Sequence, residues 1–102
     1  GSALASMTSF DSSNTSRGTC ALACADSATA TYYHDDASGM GTVEPSVGDY
    51  VYTNSAGGSG NALANGWYRS GAANFSKYAY HVAGNGGLVD IVNGPGSTCG
   101  GC

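Results

Sequence analysis

Four cysteines have the most distinctive spacing in this chain. Cys20 and Cys24 lie near its beginning, Cys99 and Cys102 lie at its end, and no cysteine lies between these pairs. Such thiols can form disulfides, bind zinc as a four-cysteine set, or act in thiol exchange. A short chain with an even cysteine count favours disulfides in an oxidising compartment. A redox Cys-x-x-Cys motif normally lies between a strand and a helix. Here the Cys-x-x-Cys pair lies at the end of the chain, which argues against redox catalysis.

Three disulfide pairings are open: nested, crossed and local. The nested pairing, Cys20 with Cys102 and Cys24 with Cys99, suits two antiparallel terminal segments, and the two glycines before Cys102 would absorb the one-residue irregularity. Crossed pairs need parallel segments, and local pairs leave the ends untied. A disulfide closing the loop from Cys24 to Cys99 would remove about 4.5 kcal/mol of unfolded-state entropy on the loop-closure model. We expect all four cysteines to form disulfides that staple the termini.

Histidines and carboxylates are the other groups that could do chemistry. His34 lies beside Asp35 and Asp36, in a run typical of a polar strand end that enters a turn. Asp35, Asp36 and Glu44 are secondary candidates for calcium ligands, but their spacing differs from that of the twelve-residue calcium loop. We therefore expect no metal and no other cofactor. Because no nucleophile is paired with a base, we also expect no catalytic residue and no enzyme activity.

Tyrosine and tryptophan supply most of the large side chains. The chain has seven tyrosines and one tryptophan. Tyrosine is favoured in strands, which is the simpler interpretation, but aromatic faces also stack on sugar rings. The candidate ligand-binding residues are Tyr50, Tyr52, Trp67, Tyr68, Tyr78 and Tyr80.

Composition excludes several classes of partner. The chain has 102 residues, which suits one domain, and a net charge of −4 with only three basic residues. Nucleic-acid binding requires clustered Lys and Arg, so we expect no nucleic-acid partner. No apolar run is long enough to cross a bilayer, so we expect no membrane insertion. Abundant Gly, Ser, Thr and Asn suit a secreted, cell-surface or virion protein.

Short strands separated by glycine-rich turns dominate the pattern. Residues 19–24 suit a short strand or a helical turn. Strands are predicted over 28–34, 49–53, from 67 onward, 77–82 and 88–92. An Asn-Gly-Gly turn at 85–87 predicts that the last two strands pair as a hairpin. The fold class is all-β: a small antiparallel β-sandwich or barrel with glycine-rich turns and termini stapled by disulfides.

The N-terminal residues 1–17 are small and polar around three bulky apolar side chains. Leu4, Met7 and Phe10 are spaced three apart, which suits an extended or loosely helical arm. We expect this arm to make a docking or assembly contact, with these three residues entering shallow pockets. The alternative is that the arm packs on its own domain as a further strand. The predicted organisation is an arm at 1–17 and a disulfide-stapled β domain at 18–102.

Three linked motifs resemble a known kind of module. They are Tyr32-Tyr33-His34-Asp35, the run Pro45-Ser-Val-Gly-Asp-Tyr-Val-Tyr-Thr53, and Leu63-Ala-Asn-Gly-Trp-Tyr68, followed by an apolar strand at 88–92 and Cys99. This pattern, over residues 20–99, resembles small β-rich modules of phage tail or virion appendages and of bacterial surface proteins. The resemblance implies a non-enzymatic structural or receptor-contacting role and identifies no catalytic residue.

The resulting expectation is an extracellular or virion structural module. It would act as an appendage domain or a filament subunit that contacts other copies of itself or a receptor or glycan on a host surface. The alternative is a carbohydrate-binding module that uses tyrosine and tryptophan stacking. Assembly at micromolar concentration would favour the first, and fluorescence changes with glycans would favour the second.

Overall fold

Six short strands make up most of the regular structure. The computed structural model describes residues 7–71, 78–83 and 87–92. The elements are β1 (Thr8–Ser12), helix α1 (Cys20–Cys24), β2 (Ala30–His34), β3 (Val51–Tyr52), a short 3₁₀ helix (Ser59–Asn61), β4 (Gly66–Ser70), β5 (Tyr78–Val82) and β6 (Val89–Val92). The all-β prediction is confirmed. Among the described residues, no helix has the length and hydropathy to cross a bilayer.

The strands form one antiparallel sheet that nearly closes on itself. Their order is β3-β2-β1-β4-β5-β6. The two outer strands approach each other through an antiparallel bridge between Tyr50 and Leu88. Next to it, the Val51 amide donates to the Gly87 carbonyl at 3.0 Å, and the Val89 amide donates to the Asp49 carbonyl at 2.9 Å. Of the two predicted architectures, the structure therefore has the barrel-like one.

Two seams divide this closed sheet into three-stranded halves. One half contains β1, β2 and β3, and the other contains β4, β5 and β6. At the first seam, β1 and β4 pair only at Ser12 and Ser70, beside a hydrogen bond of 2.9 Å from the Ser13 amide to the Arg69 carbonyl. The bridge between Tyr50 and Leu88 forms the second seam. Each half is thus a meander of strands that follow one another in the chain.

Three aromatic rings pack with four aliphatic side chains in a small core. The Tyr68 and Tyr80 rings are stacked with centroids 5.5 Å apart, and Phe10 meets Tyr80 edge-on at 5.7 Å. The Tyr80 hydroxyl and the Ser12 hydroxyl are hydrogen-bonded at 2.7 Å, so the buried phenol keeps a polar partner. Burial raises the pKa of Tyr80 well above its ordinary value. The core cluster comprises Phe10, Val51, Leu63, Tyr68, Tyr80, Val82 and Val89.

The expectation of a separate N-terminal arm is wrong for residues 8–12. These residues form β1, which lies in the middle of the sheet between β2 and β4. Phe10 is buried in the core, so it is not available to a neighbouring subunit. The Met7 side chain lies over Gly57, where a Cβ would come within 2.7 Å of its Cε. The predicted boundary after residue 17 therefore cuts through one continuous sheet, and Leu4 lies outside the described residues.

For residues 19–24 the sequence allowed a strand or a helical turn, and the structure has a helix. Thr19 caps α1, because its hydroxyl accepts a hydrogen bond from the Leu22 amide, a common way to satisfy the first turn. The helix packs against β4 and β5 and buries Ala23 completely. Neither Cys20 nor Cys24 is a free thiol. Cys99 and Cys102 lie outside the described residues, so the pairing remains a prediction.

The predicted hairpin between the last two strands is confirmed. β5 and β6 pair antiparallel, with Tyr80 opposite Val92 and Val82 opposite Val89. Gly87 has φ +81°, a conformation that favours glycine. The other two residues of the predicted turn, Asn85 and Gly86, lie outside the described residues.

Candidate functional site

Asp49 is a buried charge at the base of the loop between β2 and β3, residues 35–50 (the 35–50 loop). Its side chain is fully buried. One carboxylate oxygen accepts a hydrogen bond of 2.9 Å from the Ser38 amide, and the other accepts one of 2.8 Å from the Ser46 amide. Hydrogen bonds to charged groups are the stronger ones in proteins. One side chain therefore holds both arms of the loop.

His34, at the end of β2, holds the outer part of the same loop. The ring is fully buried, and its Nε2 lies 3.1 Å from the Thr42 carbonyl oxygen and 2.9 Å from that of Val43. Carbonyls only accept, so Nε2 carries the proton and donates. Nδ1 accepts a hydrogen bond of 3.1 Å from the Asp36 amide and lies 3.4 Å from the Asp49 carboxylate.

The two aspartates that follow β2 form local turns. One Asp35 oxygen accepts hydrogen bonds from the Ala37 amide and the Tyr50 amide, both at 3.0 Å. The Asp36 carboxylate accepts from the Gly41 amide at 3.0 and 3.2 Å, and Asp36 itself has φ +53°. Aspartate tolerates this conformation because its side chain bonds to nearby backbone. These turns fold the loop into a fixed shape.

One group of side chains in the described part of the chain has the spacing of metal ligands. His34, Asp36 and Asp49 each offer one atom within 4.8 Å of the others. Each of them already accepts a backbone hydrogen bond, which accounts for the arrangement without an ion. Of the calcium candidates, only Asp36 belongs to this group; Asp35 and Glu44 are not among its members. The group therefore serves to position the loop.

The loop presents large aliphatic side chains to solvent. Met40, Val43 and Val47 are 66%, 55% and 56% exposed. A single exposed valine is ordinary, but several on one loop suggest a contact surface. Val43 directly follows Thr42, and His34 bonds to the carbonyls of both residues. We call Met40, Val43 and Val47 the aliphatic loop patch.

The structure removes two of the six residues from the predicted aromatic ligand site. Tyr68 and Tyr80 are buried in the core and offer no face to a ligand. The reason is strand alternation: both lie on the inner face of the sheet. Tyr50, Tyr52 and Trp67 are only half-buried. Tyr78 lies in β5, but its side chain is outside the described part of the structure. Of the predicted set, these half-buried residues stay available to a ligand.

Two residues that the sequence did not single out share the outer face with Trp67: His81 lies beside it, and Asp90 lies beside His81. His81 is directly opposite Trp67 across β4 and β5, with ring centroids 4.8 Å apart and planes inclined by 30°. The His81 Nδ1 lies 2.7 Å from an Asp90 carboxylate oxygen. We call Trp67, His81 and Asp90 the outer row. Alternation in the two predicted strands was the signal that could have placed His81 and Asp90 there.

An ion pair joins the segment after β1 to the segment after α1. Arg17 contacts the Asp26 carboxylate with two hydrogen bonds of 2.8 Å, and Arg69 donates to the Asp26 carbonyl. The hydrogen bond from Arg17 lowers the pKa of Asp26, with a smaller contribution from its charge. In return, the pKa of Arg17 is raised. Because both side chains are accessible, this pair contributes little stability and mainly sets orientation.

Comparison with known proteins gives no relative from which a function could be transferred. No family model, no curated protein and no solved structure matches this chain.

Proposed function

We propose that this chain is a non-enzymatic extracellular or virion module that binds protein surfaces, in the first place other copies of itself, through the 35–50 loop. The observation that carries the proposal is the aliphatic loop patch, in which Met40, Val43 and Val47 are each more than half exposed. Three large apolar side chains exposed on one loop favour a role in contact with another surface. The resemblance to appendage and surface modules points in the same direction.

The hydrogen bonds beneath the patch support this role. Asp49 holds the Ser38 and Ser46 amides, and His34 holds the Thr42 and Val43 carbonyls. A loop that is fixed before binding loses less conformational entropy when it binds. The burial of the Asp49 carboxylate is therefore explained by preorganisation of a binding loop, since it contributes no apolar surface to the core. The His34 ring serves the loop and also packs against Phe10, with ring centroids 5.8 Å apart.

We further propose that disulfides fix the ends of the chain to this scaffold in the nested pairing. Cys20 and Cys24 are one helical turn apart and lie on the same face of α1. A terminal segment that runs along this face can reach both sulfurs, with Cys99 at Cys24 and Cys102 at Cys20. Such cross-links suit a small core in an oxidising compartment.

The loop contact is tested by a double substitution, Val43→Ser with Val47→Ser. Both side chains point into solvent, so the melting temperature should stay within a few degrees. If the patch mediates self-contact, sedimentation velocity over a range of micromolar concentrations should show assembly of the unmodified protein and its loss in the variant. Electron microscopy of the same samples shows whether the assembly is a filament.

Leu22→Ser provides the matched control. Leu22 is 56% exposed, like the two valines, but lies on α1. The control should assemble as the unmodified protein does. Assembly that persists in the double variant, or a protein that is monomeric throughout, would contradict self-contact through this patch.

A further inference from the structure

The outer row is more exposed than the neighbouring residue Ala79 on the same face of the sheet. The helix packs against β4 and β5, and Ala79 on the outer face of β5 is fully buried. Two residues further along the same strand and face, the His81 side chain remains 27% exposed, and Asp90 beside it is 43% exposed. The outer face therefore changes from covered to open at the outer row.

The groups in the outer row are those that recognise a sugar ring. Trp67 is half-buried and leans on the His81 ring, which limits its rotation. Asp90 offers hydrogen-bond acceptors at an exposed position, and its contact with His81 Nδ1 fixes the imidazole so that Nε2 is left for another partner. The row thus combines an apolar aromatic surface with polar groups at its side.

A simpler account gives these residues a purely structural role. Cross-strand aromatic and charged pairs stabilise a sheet by about 0.2–1 kcal/mol each. That account explains the pairing, but it does not explain why the only tryptophan of the chain stands on the outer face while tyrosines fill the core. At this position part of the indole remains accessible to a ligand.

We propose that the outer row binds a neutral glycan, with a pyranose ring against the exposed part of Trp67 and its hydroxyls hydrogen-bonded to Asp90 and His81. Charge selects the class of glycan. The chain carries a net charge of −4, and the most exposed member of the row is a carboxylate. Both disfavour acidic sugars, and Arg17, which lies opposite Trp67, is already paired with Asp26, so neutral hexoses are preferred. This site is independent of the aliphatic loop patch.

The first experiment uses a glycan array that carries neutral, sialylated and sulfated oligosaccharides. The full-length protein should bind neutral glycans and discriminate against the acidic ones. The neutral oligosaccharide that binds most strongly is then titrated while tryptophan fluorescence is recorded. Trp67 is the only tryptophan in the chain, so the tryptophan emission reports on this site. A saturable change in emission is expected because the sugar covers the indole.

Three variants locate the site. Trp67→Ala should weaken binding at least about fivefold, measured by calorimetry, because the stacking surface is lost. Asp90→Asn changes an exposed residue and should weaken binding with the fold intact, which keeps the test valid if Trp67→Ala unfolds. Tyr33→Ala is the control: Tyr33 is a half-buried aromatic residue in the other half of the sheet, and its variant should bind normally.

The proposal is overturned if no glycan on the array binds, or if acidic glycans are preferred. It is equally overturned if affinity survives both Trp67→Ala and Asp90→Asn. None of these results affects the loop contact, which is measured by self-assembly and not by sugar binding.

Discussion

Asp49 illustrates how one buried carboxylate can decide the shape of a whole loop. An aspartate without solvent is tolerated only when its oxygens are hydrogen-bonded, and here they accept from the Ser38 and Ser46 amides. These two donors stand on opposite sides of the exposed segment that contains Met40 and Val43. Removing the carboxylate charge in the interior should therefore change the conformation of this exposed loop segment.

Asp49→Asn is expected to destabilise the protein by about 1.5–3 kcal/mol. The substitution preserves size but replaces one acceptor oxygen with an NH₂ group that faces a backbone N–H, so one hydrogen bond is lost and the two donors oppose each other. Urea unfolding measures the effect. Asp11→Asn, at an exposed position of β1, should change stability by less than about 0.5 kcal/mol. Equal effects of the two substitutions would show that Asp49 does not hold the loop.

At the scale of elements, closure of the sheet depends on a close backbone approach at Gly87. A Cβ on this residue would lie 2.3 Å from the Val51 carbonyl oxygen and 3.2 Å from the Leu63 amide nitrogen. Gly87, two residues before the start of β6, can therefore lie this close to β3 only because it has no side chain.

Gly87→Ala is expected to cost about 2–4 kcal/mol, from positive φ together with the steric clash at the seam. Gly58→Ala separates the two causes, since Gly58 has φ +86° but no atom within 4 Å of the position that an alanine methyl group would take. Its cost should be smaller by at least about 1 kcal/mol. Chemical unfolding of both variants provides the comparison, and equal losses would mean that the seam adjusts freely.

Sequence reasoning identified the strands whose side chains alternate and missed the one whose pattern is polar. Tyr50, Val51 and Tyr52 alternate in burial as predicted. β1 has the sequence Thr-Ser-Phe-Asp-Ser, with a single large apolar residue, and its serine on the inner face is satisfied by the Tyr80 hydroxyl. Propensity does not detect a strand that is stabilised by such a distant partner.

The candidate site was predictable only in part for a related reason. His34 and Asp35 were recognised as a strand end that enters a turn, and the structure confirms this turn. The approach of Asp49 to His34 requires the register of β2 and β3, in which His34 pairs with Val51. Similarly, Asp90 meets His81 only because β5 and β6 pair with an irregularity at His81 and Val82. Register is a tertiary property that single-strand patterns do not specify.

At the scale of the whole molecule, we predict that stability depends on the disulfides. Reduction should lower the free energy of unfolding by about 2–5 kcal/mol. The loss matters because the core is small and contains two tyrosines in place of aliphatic residues, so the remaining free energy of unfolding is low. Thermal melts with and without reductant measure the loss. Peptide mapping should find Cys20 linked to Cys102 and Cys24 linked to Cys99.

Alkylation of the native protein provides the check on this prediction. No thiol should react before reduction, and all four cysteines should react afterwards. Stoichiometric zinc, together with free thiols that appear when the zinc is chelated, would show that the cysteines bind a metal and do not form disulfides.

The nearly closed sheet restricts how copies of this molecule can join. Polymers built by strand exchange need an open row of backbone amides and carbonyls, or a strand that leaves its own sheet. Here β1 is central, and the outer strands β3 and β6 approach each other at the second seam. Subunits would therefore join through side chains on intact surfaces. A polymer of this kind, if the proposed self-contact holds, would come apart on dilution without unfolding, so its length would follow protein concentration.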